Sequence, residues 1–190
     1  PEFVENVLKA CRARRIELLL PTVDSELAPT AQRTAEFEAT GTRVPLSPVK
    51  TLQLCRDKYL LLSHLKDAAP VPGFNILAPE TLDGFTQFPC FAKPRLGAGS
   101  RGIALINTKD DLLALPRDGS YLVQDLLPGE EFSVDVYVRA DGNVIAAVPR
   151  DRMKTDSGIA VACRTVHHAE LITAAVDTAR NRRPRPERTR

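Results

Sequence analysis

Lys93 stands just ahead of Gly97-Ala98-Gly99-Ser100-Arg101-Gly102, where three glycines fall at G-x-G-x-x-G spacing. A cation beside bare backbone suits a polyphosphate. Glycine leaves N–H groups open to an approaching oxygen. An ammonium adds charge-assisted hydrogen bonds of about 1.5–3 kcal/mol, and Ser100 can donate its hydroxyl to the same group. The spacing alone is equally met by a surface hairpin with a solvated lysine.

Context narrows the kind of loop. A dinucleotide-binding loop opens a helix, but Ile103-Ala104-Leu105-Ile106 reads as a strand. A P-loop requires Gly-Lys-Ser/Thr, which is absent. A protein-kinase loop carries its lysine on the strand that follows, and here Lys93 precedes the loop. Further along, the apolar strand Tyr121-Leu122-Val123 runs into Gln124, Asp125 and Leu126, then a glycine turn and Glu131. Backbone groups near Asp125 and Leu126 can pair with a purine edge, and a carboxylate such as Glu131 can accept both ribose hydroxyls. An ordinary β-turn with exposed acids has the same composition.

The elements that must position these residues follow from periodicity. Residues 4–14 carry a helical stripe through Val4, Val7, Leu8 and Cys11. Residues 16–20 and 44–46 read as short buried parallel strands. A helical stretch lies between them, capped by Asp24 or Ser25 and ended by Gly41. Two helices are expected over 48–54 and 56–69, stopped by Pro70 and Pro72. Strands are expected over 74–77, 88–93, 103–106, 121–126, 131–138 and 144–149, the last two joined through Asp141-Gly142-Asn143. Helices are expected over 108–114 and 170–178. The predicted fold class is α/β and α+β, with part of a Rossmann-like layer ahead of the main fold.

Composition narrows the setting. At 190 residues, 43% of them apolar, the chain can bury a core, and no apolar run approaches a membrane span. The first residues lack a secretory pattern and an initial Met, as expected of a piece of something longer. Cys11, Cys55, Cys90 and Cys163 are widely spaced, with no metal-binding pairing, which points to small buried residues in a reducing cytoplasm. The net charge of +2 comes from the end of the chain, where six Arg and one Glu follow from position 180; the remainder carries more acids than bases. This end has no apolar residue and is expected to be disordered. Without interleaved aromatics it does not point to nucleic acid. His64, His167 and His168 lack acid or nucleophile companions and read as structural.

Taken in order, a series of segments resembles the ATP-grasp superfamily, most nearly the ATP-binding proteins like the carbamoyl-phosphate synthase large chain. They are Leu19 to Leu27, Asp57-Lys58, Ala69-Pro70-Val71-Pro72, Phe91-Ala92-Lys93-Pro94, the glycine loop, Gln124 to Asp135, and Val148-Pro149-Arg150-Asp151-Arg152. The resemblance covers positions 4–176. It implies an ATP-grasp fold with a partial pre-ATP-grasp domain over 1–47, a first lobe over 48–123, part of a second lobe over 124–178, and a basic tail over 179–190.

The resemblance also implies roles. Lys58 reaches the phosphates, and Lys93 meets the α-phosphate and adenine. Gly97, Gly99, Ser100 and Gly102 form a lid over the outer phosphates. Gln124, Asp125 and Leu126 hold adenine, and Glu131 holds the ribose. Arg150 and Arg152 stand near the transferred phosphate as the catalytic pair. The reaction implied is ATP-dependent activation of a small-molecule carboxylate as an acyl phosphate, attacked next by an amine, with Mg²⁺ as the usual cofactor. The family's magnesium acids follow the last helix, where this chain instead runs Asn181-Arg182-Arg183-Pro184, so no Mg²⁺ ligand can be named from the sequence. A nucleotide-binding remnant without that site is the alternative. The expected partners are ATP and a carboxylate, with a homodimer left open and no membrane contact.

Overall fold

The computed structural model describes residues 2–85, 87–139, 141–156 and 158–181. The chain forms two compact units, Pro1–Lys58 and Tyr59–Arg190.

In the first unit, helix α1 (Glu2–Arg14) buries Val4, Leu8 and Cys11, as its stripe requires. These pack with Phe37 and Val44, and Ile16, Leu19 and Leu46 lie against the same core. Helices α2 (Asp24–Ala31), α3 (Thr34–Glu38) and α4 (Val49–Arg56) complete the unit. The two parallel strands expected here shrink to one parallel bridge, Leu18 to Arg43. Its bonds run Leu19 N–H to the Arg43 carbonyl and Arg43 N–H to the Glu17 carbonyl, both 2.9 Å. The direction agrees with the sequence reading. The length does not, because the unit builds its core from α1 and α3, and Leu18 and Leu20 stay exposed. The expected cap is also absent: α2 starts after Val23 with no side-chain cap, so neither Asp24 nor Ser25 fills that role.

Helix α5 (Lys58–Leu65) leads into the second unit. Strands β1 (Phe74–Ile76), β2 (Cys90–Pro94) and β3 (Ala104–Ile106) follow, then helix α6 (Lys109–Leu113) and strand β4 (Tyr121–Asp125). They form an antiparallel sheet in the order β1-β4-β2-β3. Alternation sends Cys90, Ala92, Ile106 and Val123 into a core shared with Leu77 and with Leu112 of α6. Thr108 and Asp111 form a reciprocal capping box that starts α6.

The second sheet is a meander, β5 (Phe132–Val138), β6 (Val144–Asp156) and β7 (Ile159–Thr165), with helix α7 (Ala169–Asn181) packed on β5 and β6. Strand β6 is twice the length read from the sequence, and β7 was not foreseen. Helix α7 runs three residues past the expected 178, so the tail assigned to 179–190 begins as helix. The expected disorder of 182–190 falls outside the described residues. Among the described residues, no helix is long and apolar enough to cross a membrane.

Candidate functional site

Register decides which candidates share a face. On β2, Cys90 and Ala92 turn into the core, so Phe91 and Lys93 turn to the opposite side. Residues paired across an antiparallel sheet share a face. Lys93 pairs with Leu122 and Phe91 with Gln124, so Lys93 and Gln124 lie on one face. They are two residue steps apart along the sheet, roughly 7 Å. Past Lys93, β2 ends and the glycine loop begins. One face of the first sheet therefore runs from Gln124 through Lys93 to the loop.

The loop has the backbone that its composition implies. Gly97, Gly99 and Gly102 sit at φ +113°, +69° and +74°, and Ser100 itself is left-handed at +53°. The space beside Gly97 is open, so glycine is needed there for conformation rather than room. Gly102 is different. A Cβ there would press on Pro94 Cγ at 2.9 Å and the Tyr121 hydroxyl at 3.1 Å, so it seals the foot of the loop against β2 and β4. The other foot is held by Arg95. Its guanidinium lies over the Tyr59 ring at 5.3 Å, and its backbone N–H reaches the Ser120 carbonyl at 2.9 Å. Tyr59 in turn packs edge-on against Phe74 of β1. The loop is thus anchored at both feet while its crown is glycine-rich.

At the Gln124 end lies a cleft of about 280 Å³, lined in part by Gly73, Gln87, Cys90, Gln124 and Asp125. Asp125 is committed to structure here. Its carboxylate accepts the Gly73 N–H at 3.0 Å, and its own N–H donates to the Gly73 carbonyl at 2.9 Å. The Asp125 N–H expected to read a purine edge is therefore occupied, leaving Leu126, exposed just beyond β4. A Cβ on Gly73 would run into the Asp125 carboxylate, which explains a glycine that the sequence reading passed over. Burial, followed by the charge of Asp125, raises the Cys90 thiol pKa above its usual value.

On the second sheet, Glu131, Ser133 and Asp135 alternate along β5 and its approach, opposite Arg152, Arg150 and Val148. Acids and bases pair accordingly. Arg150 grips Asp135 with two bonds, Nε to Oδ2 at 2.5 Å and Nη2 to Oδ1 at 3.0 Å, and its Nη1 reaches Cys163 Sγ at 3.3 Å. Among the described residues these bonds use three of its five N–H donors. Arg152 pairs with Glu131 through Nη1 and donates Nη2 to the Gly158 carbonyl at 2.7 Å. The two arginines expected as a catalytic pair thus each carry an acid of their own. Asp135 was missed as a partner, although its spacing from Glu131 along β5 was a readable signal. His168, read as structural, packs edge-on against Phe132, and its Nδ1 accepts the Leu171 N–H at 3.4 Å at the start of α7.

Arg150 holds the Asp135 carboxyl below its usual range, chiefly by hydrogen bonding and secondarily by charge. A lowered folded pKa favours the fold above the unfolded carboxyl value, near 4, and that contribution disappears as pH falls through the folded value. Asp135→Asn is therefore expected to lower the urea midpoint slightly at pH 7 and not at all at strongly acidic pH. A difference that grew in acid would contradict the pairing. The effect is small because the acid is largely exposed.

Lys58 closes the first unit. Burial lowers its ammonium pKa, opposed by the charges of Asp57 and Asp24. Among the described residues, no three His, Cys, Asp or Glu side chains gather as a metal cage.

A family profile described as the ATP-grasp domain matches residues 55–181. The chain belongs to the ATP-grasp family. It is similar to D-alanine–D-alanine ligases of Thermotoga petrophila and Thermotoga maritima, at 27% and 28% identity over 140 residues, 71% of this chain and 46% of each ligase. The chain spans about half the length of these curated relatives. Among solved structures, it superposes on the Campylobacter jejuni biotin carboxylase in its β-γ-ATP complex with a TM-score of 0.74 at 17% identity, covering 92% of this chain and 45% of that one. The biotin carboxylase domain of the Hydrogenobacter thermophilus 2-oxoglutarate carboxylase, in complex with MgADP, ADP and bicarbonate, gives 0.73 at 19%, covering 93% and 44%. These likenesses show the ATP-grasp fold in this chain.

Proposed function

We propose that this chain is the nucleotide-gripping portion of an ATP-dependent carboxylate–amine ligase. One observation carries the reading: Gln124, Lys93 and the glycine loop fall in line along one face of the first sheet. A nucleoside triphosphate laid on that line puts its base at Gln124 and Leu126, its α-phosphate at Lys93 and its outer phosphates under the N–H groups of residues 97–102. Glu131 takes the ribose with the carboxylate oxygen that Arg152 leaves open. Arg150 offers its remaining donors to the migrating phosphoryl group.

The chemistry follows from that placement. A carboxylate oxygen attacks the γ-phosphorus, the bond to the bridging oxygen breaks, and ADP leaves. An amine then attacks the acyl carbon, phosphate departs, and the amine loses a proton. Positioning and charge neutralisation do most of this work. The similarity to D-alanine–D-alanine ligases supports this class.

Calorimetric titration tests the binding half. ATP is expected to saturate one site, and inorganic tripolyphosphate to compete, because lysine and loop recognise phosphate without the base. No saturation by about 1 mM ATP, equivalent to only about 4 kcal/mol, would end the reading. Hydroxylamine trapping tests the chemical half: with ATP and a panel of amino-acid carboxylates, a hydroxamate is expected. ATP binding without any hydroxamate would leave a nucleotide-binding protein and remove the ligase assignment.

A further inference from the structure

The crown of the glycine loop does not stand alone. Strand β6 overshoots β5: Asp151 is its last residue paired with β5, Arg152 N–H still reaches the Glu131 carbonyl just ahead of β5, and residues 154–156 continue and pair only with β7. These residues and the start of β7 make a two-stranded arm roughly 10 Å long. At its end sits Gly158, at φ +75°. A Cβ built there would collide with Ser100 Oγ, and would lie 3.1 Å from Ser100 Cβ and 3.4 Å from Ser100 N. The arm therefore meets the loop at its crown, where glycine at 158 leaves the space that the Ser100 hydroxyl fills.

Arg152 supports this contact from below. Its Nη2 holds the Gly158 carbonyl, while its Nη1 holds Glu131. Its side chain is only 14% exposed against 71% for Glu131, so the guanidinium is fixed inside the arm and the acid is left facing outward. Its Nε is buried without a partner among the described residues. An arginine kept in that state is retained for the two groups it spans, since a buried unsatisfied donor is costly.

We propose that the arm is the docking seat of the glycine loop and that Arg152 is the positioning residue that sets it. One planar fork fixes two things together: the Gly158 turn that receives Ser100, and the carboxylate aimed at the ribose. For what the loop covers, this rests on the nucleotide reading above; the seat itself does not. Lysine at 152 keeps a charge for Glu131 but has no rigid fork to span both partners.

Cross-linking tests the seat in the intact chain. Disulfides form at Cβ separations of about 3.5–4.5 Å, within a small adjustment of the spacing here. In the Ser100→Cys, Gly158→Cys double variant, mild oxidation is expected to join 100 to 158 in most molecules, read by peptide mapping without nucleotide. Adding Arg152→Ala is expected to slow that joining at least tenfold. Arg152→Lys is expected to slow it similarly while restoring the thermal midpoint that Arg152→Ala loses. No 100–158 link, or one formed as fast in either Arg152 variant as with arginine at 152, would overturn the proposal. Hydrogen exchange guards against misfolding of the cysteine pair: in otherwise native chain, amides 97–102 should exchange faster with Arg152→Ala than without it, and unchanged exchange would also overturn it. Failure of ATP to bind would remove the nucleotide reading and leave the cross-linking result to decide the seat.

Discussion

Lys93→Ala is expected to weaken ATP binding about 10- to 100-fold while moving the thermal midpoint little. The ratio follows from losing a charge-assisted hydrogen bond of about 1.5–3 kcal/mol, at about 1.4 kcal/mol for each factor of ten. Lys93 lies on the side of β2 opposite the Cys90 and Ala92 core, so truncating it opens no core cavity. Lys93→Met separates charge from packing, since it keeps most of the stem. It should match alanine in affinity if the ammonium is what binds. Tripolyphosphate should lose affinity in parallel with ATP, because the lost contact is to phosphate. Calorimetry on the three proteins reads all of this. Unchanged ATP affinity in Lys93→Ala would sink the placement of the phosphates, and equal weakening of adenosine and tripolyphosphate would mean that the substitution disturbs the sheet instead.

What the sequence revealed depended on whether local pattern or long-range packing governed the element. Strands β1 to β5 were readable because each is a short apolar run between turn residues, and the α6 start was readable near Thr108. The glycine loop was legible as a strand–loop–strand hairpin because Ile103 to Ile106 excludes a helix. Strand β7 was missed since its apolar residues Ile159 and Val161 are exposed, so it does not announce a buried face. The Asp156 and Gly158 turn signal ahead of it was there to be used. In the first unit, the runs at 16–20 and 44–46 looked like strands, but Leu20 is exposed and only one bridge forms.

The candidate residues could be named from the sequence, and their pairing could not. Lys93, Gln124 and the loop could be picked out because their chemistry is local. That Lys93 and Gln124 share a face depends on the β2–β4 register, set by residues thirty positions apart. That Arg152 spans Glu131 and Gly158 depends on how far β6 outruns β5, which no short window contains. Asp125 shows the same limit in reverse. Its type suggested a ligand contact, and its position gave it to Gly73.

The register that builds the site can be challenged apart from its chemistry at Leu122. This residue is 0% exposed on the central strand β4, directly opposite Lys93 on one side and Ile76 on the other. Leu122→Ala removes buried methyl groups and leaves a cavity, at a cost of about 2–5 kcal/mol. For a unit of this size, that is a fall of roughly 10–20 °C in melting temperature, followed by circular dichroism. Leu122→Met conserves volume and should fall much less. At a temperature where Leu122→Ala is still folded, its ATP affinity should stay within a few-fold of wild type, since the side chain is fully buried and offers no polar group to the nucleotide. Lys93→Ala and Leu122→Ala therefore predict opposite profiles, affinity lost with stability kept and stability lost with affinity largely kept. If Leu122→Ala instead kept its melting temperature and lost ATP, Leu122, which shares the face of Lys93 and Gln124, would be contacting the nucleotide rather than carrying stability.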